Sequence, residues 1–172
     1  MLGRKPIAHI EYPDRFEVYI KCVESVDILL QLKQSKQKTI DFFKSVPVDK
    51  ADYAYAAGKW TIKEVLLHLI DTERIMAYRG LRIARADKTP IVGFEQDDYV
   101  ATSGANERTM FSLITEYDVL RDSSIAMYTH FSDDMWAQTG IACGDVFSVL
   151  ASAYVIAGHE RHHIRIIEER YL

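Results

Sequence analysis

The hydrophobic and polar positions divide this chain into four long helix-like segments. In the first, Ile28, Leu29, Leu32, Ile40, Phe43 and Val46 recur at partial 3.6-residue spacing, interrupted by the polar run from Lys33 to Thr39. Asp27 is placed to cap its N-terminus and Pro47 to end it, which predicts a helix to about Ser45. The second opens on Thr61-Ile62-Lys63-Glu64, a capping box in which hydroxyl and carboxylate satisfy each other's free backbone donors. It should run to about Ala86. A third helix is expected from roughly Glu107 to Tyr128, and a fourth from roughly Phe147 to Arg170.

The segments between helices differ in character. Residues 1–26 are mixed and proline-interrupted, an N-terminal arm with a short helix near Phe16 to Val23, and the helical domain is read as 27–172. Residues 48–59 form a loop rich in Tyr and Ala. Between helices two and three lies a connection of about 15 to 20 residues, long enough to be functional or a crossover. Its Phe94, Asp97, Asp98 and Tyr99 suit a packed segment. Gly140 to Val146 reads as a short turn. Only 8 glycines and 4 prolines punctuate 172 residues, which fits long helices and no strand-rich region. The expected fold is all-α, a four-helix bundle whose ligands project into its interior or mouth.

Three histidines stand out on this frame. His159 and His163 are four residues apart in Gly158-His159-Glu160-Arg161-His162-His163 and project from nearly one helix face. Ser152, Val155, Ile156, Ile166 and Ile167 flank them, an apolar stripe broken by two imidazoles. His68, inside the second helix, can complete a triad. Three protein nitrogens around a divalent ion leave a position for water or substrate. A single histidine on an apolar face is usually a core residue, but two buried imidazoles both need polar partners. His162 is a rival ligand, since i,i+3 also shares a face. His9 and His130 lie outside any such spacing.

Carboxylates near His68 supply candidate bases. Asp71, at i+3, is placed to accept a hydrogen bond from the imidazole or a proton from water, and Glu64 lies one turn earlier. Glu73 points about 140° away and is expected at the surface or in a salt bridge with Arg74. Arg79, Arg82 and Arg85 recur every third residue near the end of the second helix. They could meet phosphate or carboxylate, but cations there also complement the helix dipole and solvate the surface.

Charge and motif content narrow the classes further. A net charge of -4 argues against coating nucleic acid or anionic membrane, so nucleic acid is an unexpected partner. No signal peptide and no membrane span is visible, and Cys22 and Cys143 form no CxxC pair, so a reducing cytoplasm is the simplest address. No phosphate-cradling glycine motif is present.

The strings Ala57-Gly58-Lys59-Trp60-Thr61-Ile62-Lys63-Glu64, His68-Leu69-Ile70-Asp71-Thr72-Glu73-Arg74 and Gly158-His159-Glu160-Arg161-His162-His163 resemble the DinB-like (DinB/YfiT) superfamily. The similarity runs from about Asp27 to the C-terminus and includes Asp87-Lys88-Thr89-Pro90 and Gly93-Phe94. Ala57 stands where many relatives have proline. The resemblance implies up-down-down-up connectivity with the long crossover between helices two and three. It also implies a divalent metal held by His68, His159 and His163, with His162 a neighbour, and it suggests a homodimer. Some members transfer low-molecular-weight thiols or isomerise a substrate with one; others are described only as metal-dependent hydrolases.

Three readings follow. The first is a metal-dependent thiol S-transferase or hydrolase acting on a small molecule, with Asp71 or Glu64 as base and zinc or nickel as the metal. The second is a non-catalytic metal-binding bundle serving stress response or interaction, for which a fourth protein ligand would be the sign. A DNA-interacting protein comes third, and salt-dependent binding would mark it.

Overall fold

The computed structural model describes residues 6–172. Seven helices and one hairpin follow in order: α1 Glu17–Ile20, α2 Ile28–Ser45, α3 Ile62–Ala84, α4 Gln96–Thr102, α5 Met110–Thr129, α6 Asp133–Trp136, β1 Thr139–Ala142, β2 Asp145–Ser148 and α7 Val149–Arg170. The expected stop and start signals are in place. Asp27 accepts from Leu30 N at 3.1 Å. At the head of α3, Thr61 Oγ1 accepts from Glu64 N while Glu64 Oε2 accepts from Thr61 N, the full capping box. Thr109 and Ser148 cap α5 and α7 more simply, their hydroxyl oxygens accepting from Ser112 N and Ala151 N.

Helices α2, α3, α5 and α7 form the bundle. Glu73 and Gly80 of α3 lie beside Arg121 and Tyr128 of α5, so these two helices run parallel. Gly80 also faces Ser152 of α7 whereas His68 meets His159, so α3 and α7 are antiparallel. At one end Ile28 and Leu32 pack with residues around Val149 to Ala157, and at the other Ile40 and Phe43 pack with Ile167, so α2 and α7 are parallel. The order is up-down-down-up. Parallel α3 and α5 require a return along the bundle, and the segment 85–109 with α4 supplies it.

A buried polar layer divides the core into these two apolar clusters. The Arg121 guanidinium, 1 % exposed, donates to both oxygens of Glu73 at 2.8 to 3.1 Å, to Glu160 at 2.8 Å and to Ser35 at 3.1 Å. Tyr117 donates a short hydrogen bond to the same Glu160 oxygen. All four bundle helices therefore meet at one side chain. The polar run in α2 belongs partly to this layer, and beside it Lys36 pairs with Asp118 and Asp122 at 2.6 Å each. Glu73, expected at the surface or beside Arg74, is buried instead, because the neighbouring helix offers it a guanidinium.

Two other differences matter for the site. The turn expected near Gly140 is a two-stranded antiparallel hairpin pairing Thr139 with Ser148 through Ala142 with Asp145. Its two-residue tip, Cys143-Gly144, has positive φ at both positions (54° and 86°), the geometry that matches strand twist. The N-terminal arm docks on the bundle: α1 packs on α7, and Tyr12 and Phe16 join the core. Among the described residues no helix is long and apolar enough to cross a membrane.

Candidate metal centre

His68 enters from the second turn of α3, and His159 and His163 from consecutive turns of α7. The Nε2 atom of His159 stands 3.0 Å from Nε2 of His68 and 3.0 Å from Nε2 of His163. The potential ligand nitrogens of all three lie within 4.8 Å of one another, and among the described residues no fourth histidine, cysteine or carboxylate joins the group.

Hydrogen bonding among the rings leaves this geometry unsatisfied. A neutral imidazole nitrogen either donates one proton or offers one lone pair. His159 Nε2 faces two nitrogens at bonding distance and can serve only one of them. A cation at the centroid would satisfy all three lone pairs at once. Tetrahedral zinc with Zn–N of about 2.0–2.1 Å holds its nitrogens about 3.3 Å apart, close to the spacing found here.

Electrostatics favour the ligand-ready form. Burial drives all three imidazoles toward neutrality, and neighbouring histidines further disfavour the cationic forms of His159 and His163. His68 is pushed down to about 4 and His163 to about 3, while His159 lies well below the usual histidine range. At neutral pH each ring can thus offer its Nε2 lone pair through its choice of tautomer, without first losing a net proton.

Two aromatic side chains enclose the cluster. Trp60, just ahead of the capping box, packs its ring 4.7 Å from His68 and 6.5 Å from His163. Tyr19 of α1 meets His159 edge-on at 4.9 Å and His162 at 5.3 Å. His162 turns away from the triad and stands outside the cluster, its Nδ1 buried without a partner.

Neither candidate base bonds to His68. Both Glu64 oxygens are occupied, one by Thr61 N and the other by Asn106 Nδ2 at 3.0 Å. Asp71 turns to Arg74 at 3.4 Å, and Arg74 continues to Glu116 at 2.5 Å. The expected hydrogen bond from His68 to Asp71 is therefore replaced by an ion pair, because a guanidinium one turn on competes better than an imidazole. Burial raises the Asp71 carboxyl, partly opposed by Arg74.

A cavity of about 210 Å³ opens beside the cluster. His68 and His159 line one end, Thr72 and Met76 follow along α3, and Arg79 and Cys143 line the other end. Phe16 and Tyr19 of the arm, and Phe94 and Glu95 of the crossover, complete the wall. The anticipated basic stripe does not form a surface patch. Arg79 is 3 % exposed, Arg82 pairs with Asp87 at 2.5 Å, and Arg85 lies over Phe131. Tyr19 is the site residue that sequence reasoning missed, and Arg79 was read only as one of a stripe of cations, not as a lining of the histidine cavity. Gly158, beside the histidine pair, was the available sign that another backbone approaches there.

The comparisons agree with this architecture. The sequence profile described as "DinB superfamily" matches residues 31–167. A protein of Oceanobacillus iheyensis named "Putative metal-dependent hydrolase" is 22% identical over 167 residues, covering 96% of this chain and 93% of its own. YfiT from Bacillus subtilis, titled a probable metal-dependent hydrolase with an unusual four-helix bundle topology, superposes with a TM-score of 0.69 at 14% identity, over 98% of this chain and 95% of its own. A mycothiol-dependent maleylpyruvate isomerase superposes with a TM-score of 0.66 at 11% identity, over 88% of this chain and 62% of its own. With its bundle order, its histidine cluster and a profile match across most of its length, the chain belongs to the DinB superfamily.

Proposed function

We propose that His68, His159 and His163 hold one divalent metal ion, zinc or nickel, and that the protein is a metal-dependent hydrolase of a small substrate. The observation that carries this reading is the convergence of three neutral Nε2 atoms, two on buried rings and one on the half-buried His163, that cannot satisfy one another. Three nitrogens without a fourth side chain suit a reactive ion better than a structural one. Such an ion supplies a Lewis acid and lowers the pKa of a water or thiol that reaches it. The chain's own residues do the rest. Tyr19 and Trp60 exclude bulk solvent from the rings and fix their orientation, and the cavity admits a substrate from the Thr72 side. The names of the Oceanobacillus and Bacillus relatives point the same way.

The test is metal analysis of protein purified without a histidine tag, followed by assays across esters, amides and phosphoesters. Transfers from low-molecular-weight thiols belong in the panel, because the same site would activate a thiol. About one ion per chain is expected, with loss on His68→Ala, His159→Ala or His163→Ala and retention on His162→Ala. Equal loss from His162→Ala and His163→Ala would remove the assignment. We also expect a homodimer: α5 exposes Phe111 and Val119. Light scattering at micromolar concentration should give about twice 19.8 kDa.

A further inference from the structure

We propose that Arg79 is an anion receptor: it binds the carboxylate, or an equivalent oxyanion, of a small substrate whose reacting end sits at the histidine cluster. This rests on the cluster being the reactive end, as argued above.

The first observation is an unpaired buried charge. Arg79 is 3 % exposed and forms no hydrogen bond or ion pair with any carboxylate among the described residues. Its Nη1 meets Met76 Sδ at 3.8 Å, its Nη2 meets Cys143 Sγ at 3.3 Å, and its Nε has no partner. Five donors are thus matched by two sulfurs, which are weak acceptors. The contrast with Arg121 is instructive, since that equally buried guanidinium has two carboxylates and a hydroxyl around it. A buried guanidinium without a counter-ion is expensive to keep, so its position calls for a ligand.

The second observation is where the charge is kept. Arg79 lines the same cavity as His68 and His159. Residues 68, 72 and 79 fall within about 40° on α3, so one stripe of the helix forms the cavity floor. Helical side chains lean toward the N-terminus, which aims Arg79 back along the cavity toward His68. Between them Thr72, which also lines the cavity, keeps its Oγ1 buried without a partner. The second cation on this wall, Arg15, is already paired with Asp145 at 2.5 Å, and Glu95 also lines the cavity but makes no pair with Arg79. The hairpin holds Cys143 at φ 54° against Arg79, and a planar oxyanion displacing this thiol would receive a two-pronged contact.

The test is calorimetric titration of the full chain, its metal content measured beforehand, with succinate, inorganic phosphate and neutral succinamide. Saturable binding of succinate or phosphate but not succinamide is expected, and the tighter of the two names the oxyanion. Arg79→Met should weaken it about 10- to 100-fold, with metal content unchanged. Without anion, Arg79→Met should melt no lower than the parent, because it removes an unpaired buried charge. Arg79→Lys, which keeps the charge and loses the fork, should bind more weakly than the parent and guards against a misfolded methionine variant. Binding of neither anion, equal binding of succinamide, or binding that survives Arg79→Met but disappears with His163→Ala would overturn the proposal. Arg79-dependent binding by a protein that takes up no metal would sustain the anion site while defeating the metal reading.

Discussion

Gly158 lies directly under the backbone of Tyr19: a Cβ built on it would stand 1.9 Å from the Tyr19 carbonyl oxygen. The obstacle is main chain, which cannot rotate away as a side chain does. Gly158→Ala must therefore push α1 off α7, and the Tyr19 ring that covers His159 and His162 moves with it. Alanine is favoured over glycine within a helix by up to about 1 kcal/mol, whereas overpacking costs about 1–3 kcal/mol. A net loss of stability and weaker metal retention are expected in urea titration and metal analysis. A more stable variant with unchanged metal content would show that the arm is not a working wall of the site.

The same contact shows how far the sequence could be read. The bundle was legible because caps, helix lengths and an overlong connection all agreed, and the histidines were legible because i,i+4 spacing survives in one dimension. The short helix of the arm was legible, but its docking on α7 was not, since that attachment depends on a glycine whose reason is another segment's backbone. Glu73 was misplaced for a related reason. A helical wheel reports its angle from His68, but only Arg121 on another helix decides whether that direction is solvent. Arg79 was hidden likewise inside a regular run of cations at a helix end, where the dipole alone explains basic residues.

Metal-free protein should lose stability as pH falls. The folded-state values of His68 and His163 lie at about 4 and about 3, below the unfolded value near 6.5, and His159 is also depressed. Between those limits the unfolded chain binds more protons than the folded one, so stability rises with pH. The contribution is complete above about pH 6.5 and is lost as pH falls toward 4 and then 3, at about 1 kcal/mol per pH unit for each fully shifted histidine. Urea midpoints of chelated protein between pH 7.5 and 5 measure this. His163→Gln should flatten the slope, and an unchanged slope would mean the rings are not buried as neutral groups.

Glu64 and Asp71 should separate by mutation into supports and not bases. Glu64→Ala breaks the cap and the link to Asn106, which ties the start of α3 to the turn before α5. A loss of about 1 kcal/mol with metal retained is expected. Asp71→Asn disturbs only a part-exposed pair with Arg74, worth about 1 kcal/mol or less, and should leave metal content unchanged. A drop in turnover of about 100-fold or more with metal in place would give Asp71 the proton-transfer role after all.

Arg121→Met should be the most damaging substitution away from the histidines. It strips the shared cation from Glu73 and Glu160, whose side chains are 2 % and 4 % exposed, and leaves two carboxylates facing each other in the core. Breaking one buried pair costs about 3–5 kcal/mol, and here one residue serves two pairs and joins all four bundle helices. The damage should also reach the metal centre, because Glu160 adjoins His159 on α7. Adding Glu73→Gln and Glu160→Gln to Arg121→Met removes the stranded charges and should restore part of the loss. A double-mutant-cycle series in urea measures that coupling. If the triple variant is no more stable than Arg121→Met alone, the damage comes from lost packing, and the polar layer holds the helices by shape instead of charge.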